Sequence, residues 1–252
     1  MPLTQSELLN SDVKELRRVL DTHPEFARPL ADFTDVNRHG HYVIVADLVW
    51  QIWYLAMGTN VLLREELGLP LVAVQRMLFE AMVTLGYLMR HQASQDEALM
   101  LLAYSHLKEI KTFPSQPAVT EERRALLSRM PTHLVEEARR RLAKGRSWSG
   151  KSIKKMAEES GVLGYAETYG FLSAVAHIEM VGHHVRVTRG EDGLAHIEMG
   201  QSISDAEAEA HANFARRALH FAFRAMWGLF QGPSIQLRSE DPEKWLGLAT
   251  NT

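Results

Sequence analysis

The chain contains no cysteine, which removes disulfides, thiolate metal sites and cysteine nucleophiles together. It also lacks a dominant charge: 28 basic residues against 31 acidic ones leave a net charge of −3. Nothing global therefore announces a nucleic-acid binder. The opening stretch MPLTQSELLNSDVKELRR is polar and has no pattern of a secretion signal. An uninterrupted membrane-length apolar run is missing too. The best candidate, Tyr42 to Leu63, is broken by Asp47, Gln51, Thr59 and Asn60, and a charge near a bilayer centre costs about 3 kcal/mol. These absences lead to the expectation of a soluble, cytoplasmic protein with no membrane partner.

What is present is an ordinary globular composition, 46% hydrophobic and 23% charged over 252 residues. The apolar pattern has a helical period nearly throughout. Ser6–Leu20 reads as a short amphipathic helix, and the Pro- and Gly-punctuated segment up to Gly40 as a covering loop. Two helices follow that are apolar on almost every side, Tyr42–Met57 and Leu71–His91, with a break expected at Gly58, Thr59 and Asn60. Ser94 with Glu97 suggests a capping box for the next helix. Thr120 is a candidate cap for a charged helix, which Pro131 divides from a second one over Thr132–Lys144. After Gly161 a helix is expected over Tyr165–Met180. HHVRVTR and LAHIEM then alternate around GEDG, as a β-hairpin does. Ser204 with Glu207 opens a last long helix to Phe230.

The expected fold is thus mostly α, a multi-helix bundle with one small β-hairpin near residues 183–199. A single domain is expected over 1–252. Its parts are an N-terminal helix and covering loop (1–40), a core bundle (41–181), the hairpin (182–200), a C-terminal helix (201–232) and a tail (233–252). Bundles place their sites between helices.

Four groups of residues carry chemistry. The first is Gly145-x4-Gly150-Lys151-Ser152, which fits the phosphate-loop pattern. A phosphate loop follows a strand, and here LVEEARRRLAK reads as a charged helix, so the upstream strand is missing. A helix N-terminus beside a lysine is still an anion site, and Trp148 could stack on a base or anchor the loop in the core. The second group is Arg76 and Glu80, four residues apart on an apolar helix. They form either a partly buried ion pair or a ligand site in which Glu80 holds Arg76 towards an anion. The third is Tyr169, Ser173 and His177 on one helical face, either a packed hydrogen-bonded seam or the setting of a general base.

The fourth group lies around the hairpin, where His177, Glu179, His183, His184, His196 and Glu198 raise the question of a metal. No HExxH or cysteine cluster supports one, so neither metal nor cofactor is expected. A local basic run, Arg139 to Lys155, reads as a solvated face or as a phosphate track.

In their order along the chain, R-x3-E, W-x-G-K-S-I and Y-x3-S-x3-H resemble the motifs of domain-of-unknown-function family 5677, a bacterial, helical family without an agreed activity. The resemblance spans Tyr42 to His177. It implies that Arg76, Glu80, Lys151, Ser152, Tyr169, Ser173 and His177 form one cluster. A looser likeness is to HEPN-type ribonucleases of bacterial defence and toxin systems. Their Arg-x4–6-His motif is replaced here by SAVA before His177, so Arg76 would supply the arginine from another helix.

The resulting expectation is an interhelical polar pocket for RNA or a phosphate-containing small molecule. As an enzyme it would cleave phosphodiesters without a metal, with His177, Arg76, Glu80, Ser173 and Tyr169 as catalytic residues. Trp148, Gly150, Lys151 and Ser152 would bind the ligand. The alternatives are a non-enzymatic sensing or interaction module and a metal enzyme using the hairpin histidines. A homodimer is compatible with such a bundle.

Overall fold

A computed structural model of the protein describes residues 4–22, 36–90, 95–160, 185–189, 195–199 and 203–230. Among these the chain is mostly helical. The helices are α1 (Gln5–Thr22), α2 (Val36–Arg64), α3 (Gly68–Arg90), α4 (Gln95–Thr112), α5 (Pro117–Leu127), α6 (Thr132–Ala143), α7 (Ile153–Ser160) and α8 (Asp205–Phe230). Two five-residue strands, β1 (Val185–Arg189) and β2 (Ala195–Met199), pair antiparallel, with Val185 opposite Met199 and Arg189 opposite Ala195. The segment between them, 190–194, and the helix expected over 165–180 lie outside the described residues.

Local chemistry accounts for the helix starts. Before α1, the Thr4 hydroxyl accepts from the Glu7 amide at 3.2 Å while the Glu7 carboxylate accepts from the Thr4 amide at 2.8 Å. Ser204 and Glu207 repeat this exchange before α8, at 3.3 and 2.9 Å. Both are capping boxes, each satisfying two amides that a helix start leaves without partners. Pro131 is the N-cap of α6, so it separates two helices as its sequence position suggested.

Two expectations are corrected. Gly58, Thr59 and Asn60 do not break α2, which continues to Arg64. The Thr59 hydroxyl donates to the Leu55 carbonyl at 3.0 Å and accepts from the Gln75 amide at 2.9 Å, and Asn60 donates to Asn10 at 3.2 Å. With Thr59 and Asn60 both hydrogen-bonded from within the helix, the break has no cause. The helix stops instead where Glu66 takes a positive φ of 54°. Thr120 is likewise no cap, because α5 begins at Pro117 and Thr120 is buried one turn inside it.

The chain forms two compact units. One gathers α1, the segment Val49–Met82, the strands and α8. Its core includes Leu9, Val13, Ile52, Trp53, Leu78, Phe79, Leu219 and Phe223. Here α1 packs on α8, the Trp53 indole donates to the Val13 carbonyl at 3.3 Å, and Phe79 stacks on Phe214 at 6.1 Å.

The other unit holds α2 up to Leu48 and the described residues from Val83 to Ser160. Its core is built by α4, α5 and α6 from Leu99, Met100, Ala103, Leu127, Met130, Leu134, Val135 and Ala138. Gly40 lets α2 approach α4 closely, since a Cβ there would sit 2.5 Å from the Leu99 side chain. Two stretches, Gly40–Arg64 and Pro70–Met89, are long and apolar enough to cross a membrane. Half of the first and 67% of the second is buried inside the protein, and core helices have the same pattern.

Candidate functional site

The Gly145–Ser152 segment owes its glycines to backbone geometry. Gly145 has φ +65° and sits just past the end of α6. Its amide donates to the Leu142 carbonyl at 3.2 Å, and the next amide, Arg146, donates to Arg141 at 2.9 Å. This is the Schellman arrangement, in which glycine stops a helix by going left-handed. Gly150 has φ +73° in the following turn, whose carbonyl at Trp148 accepts from Arg141 at 2.5 Å. The Ser147 hydroxyl donates to the Lys151 carbonyl at 2.5 Å, and the Lys151 amide donates to the Ser149 hydroxyl at 3.1 Å. Ser152 accepts from the Lys155 amide at 3.2 Å and so caps α7. The segment joins helix to helix, as the sequence suggested. The element directly before it is the helix α6, where a phosphate loop has a strand.

The Lys151 side chain ends in a set of polar groups that sequence reasoning missed. Its ammonium donates to the Glu159 carboxylate at 2.5 Å and to the Tyr87 hydroxyl at 2.9 Å. That hydroxyl in turn donates to Glu97 at 3.0 Å. The lysine nitrogen also lies over the Tyr87 ring, 4.9 Å from its centre, and Trp148 meets the same ring edge-on at 5.9 Å. Trp148 is buried, which makes it the anchor of the loop. The Glu159 hydrogen bond, then that of Tyr87, raises the Lys151 pKa well above its ordinary value. The Tyr87 phenol is also raised, chiefly by burial. Glu159 comes eight residues after Lys151 and Tyr87 sixty-four before it, and no local period links either to the lysine.

Glu97 was expected to close a capping box with Ser94. Glu97 accepts from Tyr87, and the capping box with Ser94 lies outside the described residues. Much of the basic run is a solvated face. Arg139, Lys144, Lys154 and Lys155 are exposed, and Arg140 and Arg141 both bond Glu137, at 2.6 and 2.7 Å. The Arg141 hydrogen bond is the largest cause lowering the Glu137 carboxyl.

In the other unit, Arg76 Nε donates to Glu80 Oε1 at 3.1 Å, with 23% and 38% of the two side chains exposed. The pair is half-buried, as an apolar helix around it implied. A second polar group there links the two ends of the sequence. Arg216 Nε donates to Asp12 at 2.7 Å and its Nη1 to Gln5 at 2.6 Å, while His220 Nε2 lies 3.4 Å from the same Asp12 oxygen. Asp12 is only 7% exposed. Arg216 and His220 are four residues apart on α8, a spacing visible in the sequence, but nothing there marks Asp12 as their partner.

The structure therefore joins Trp148, Gly150, Lys151 and Ser152 in one unit and Arg76 with Glu80 in the other. Tyr169, Ser173 and His177 lie outside the described residues, as do Glu179, His183 and His184 and the side chains of His196 and Glu198. Among the described residues no group of three or more His, Asp or Glu side chains is placed to hold a metal.

No curated protein and no solved structure matches the chain. A family model described as "Family of unknown function (DUF5677)" does match, over residues 42–194. That stretch is more than half of the chain, so the protein belongs to this family of unknown function.

Proposed function

We propose that the chain is a helical recognition module in which the Trp148–Ser152 segment fastens helices together and binds no phosphate. One observation carries this reading: Lys151 is already engaged by Glu159 and by Tyr87, whose hydroxyl leads on to Glu97. Two carboxylates around one ammonium leave the group net negative. An incoming phosphate would have to displace Glu159 and would meet Glu97, and like charges at such range repel. The expected hairpin near 183–199 would offer a strand edge to a partner.

The test is RNA cleavage and RNA binding by the purified protein, with and without EDTA, beside Lys151→Met and His177→Ala. The recognition reading expects no cleavage from any of the three proteins and the same weak RNA binding by wild type and Lys151→Met. EDTA-resistant cleavage that disappears in His177→Ala would sink it.

The second reading, metal-independent RNA cleavage, is favoured by the Arg76–Glu80 geometry. Glu80 grips Nε, which fixes the plane of the guanidinium as a residue holding an arginine towards an anion would. In this reading His177 takes the proton of a 2′-hydroxyl and the 2′-oxygen attacks phosphorus. The P–O5′ bond breaks and the leaving 5′-oxygen takes up a proton from water, which leaves a 2′,3′-cyclic phosphate and a 5′-hydroxyl, and the His177 imidazolium then returns its proton to solvent. Arg76 neutralises charge on the phosphate, and Tyr169 and Ser173 position His177.

A further inference from the structure

The outward face of α2 carries Trp50, Tyr54, Met57 and Val61, spaced by four, three and four residues. That alternation is the seam of a coiled coil, in which such a stripe packs on a second helix. Yet 55% of Tyr54 and 49% of Val61 is open to solvent, and Trp50 and Met57 are only partly covered.

The charges flanking the stripe select an orientation. Asp47 stands before its first residue and Arg64 after its last, both exposed, and neither forms an ion pair among the described residues. A second copy packed in parallel would set Asp47 beside Asp47 and Arg64 beside Arg64. Packed antiparallel about Met57 and Gly58, Tyr54 of each copy faces Val61 of the other. Asp47 then falls within about 6 Å, along the axis, of the other copy's Arg64, which is four residues at 1.5 Å each and within the reach of an arginine. The pairing occurs twice, as a two-fold axis requires.

We propose that this face of α2 is a self-association surface, on which a second copy of the chain packs antiparallel and two-fold symmetric with Asp47 of each copy against Arg64 of the other. The seam from Trp50 to Arg64 is about 21 Å long, a small interface, so association belongs in the micromolar range. The inference stands independently of the recognition reading above.

The test is the molar mass of the full chain by light scattering and sedimentation between about 1 and about 100 µM. Wild type is expected to pass from monomer to dimer. Tyr54→Glu should raise the dissociation constant at least about tenfold, with little change in thermal unfolding at concentrations where wild type is monomeric, because the residue is exposed. Asp47→Arg or Arg64→Asp alone should weaken the dimer, and the two together should restore it. The absence of cysteine makes a second readout clean. Met57→Cys, at the axis, should oxidise to a linked dimer, whereas Val61→Cys, facing Tyr54, should not. A wild-type monomer at every concentration overturns the proposal, including one that floats with anionic vesicles and so reveals a lipid-facing stripe. A dimer indifferent to Tyr54→Glu and to the charge exchange overturns it as well.

Discussion

Replacing Asp12 by alanine would leave the Arg216 guanidinium, whose side chain is 15% exposed, without its carboxylate in a site where water cannot take over. A buried ion pair that loses one partner costs about 3 kcal/mol. Asp12→Ala should therefore lower the urea midpoint sharply with little change in slope. Asp12→Leu combined with Arg216→Met should cost less than either change alone, since no bare charge remains.

Lys151→Met should cost only about 1 kcal/mol, because that lysine is partly open and solvent screens its partners. The histidines act through pH. Burial, assisted by the neighbouring Arg123, holds His106 below the ordinary imidazole range, and its Nδ1 has no partner among the described residues. Burial lowers His41 and His211 in the same direction. The unfolded chain takes up these protons more readily than the native one. Their contribution is therefore full above the unfolded value of about 6.5 and is lost progressively as pH falls from there through the folded values. Unfolding free energies measured by urea titration should decline across that window, and His106→Asn should flatten the decline.

Helices respond to changes at their ends and at their closest approaches. Thr4→Ala and Ser204→Ala each remove one half of a capping box, and each should cost about 1 kcal/mol in denaturant titrations. Gly40→Ala sets two effects against each other. Alanine gains about 1 kcal/mol of helix propensity, but its Cβ would press on Leu99, and overpacking costs about 1–3 kcal/mol. A net loss is expected, read by the same titration. These elements were largely legible in the sequence because helical periodicity and Ser/Thr-x-x-Glu starts are local signals. The Gly58–Asn60 stretch was misread for the opposite reason. Its partners, Gln75 and Asn10, lie elsewhere in the chain, and they turn two poor helix residues, Thr59 and Asn60, into satisfied ones. The Lys151 surroundings were hidden in the same way. The sequence displays Gly150-Lys151-Ser152 but not that Tyr87, Glu97 and Glu159 close on it.

Across the whole molecule, the family match over 42–194 leaves out α1 and α8, although these helices cover Trp53 and Phe79. A chain trimmed to 42–194 should therefore lose cooperative unfolding and bind hydrophobic dye, both measurable by fluorescence during urea titration. The contact between Asp12 and Arg216 joins residues 204 apart. On a ribosome adding about 5–20 residues per second, α1 would wait roughly 10 to 40 s for its partner helix to be made. Throughout that interval Leu9, Val13 and Leu16, buried in the finished protein, would be without α8, the helix on which α1 packs. The newborn chain would thus depend on chaperones that shield apolar helices until its last long helix emerges.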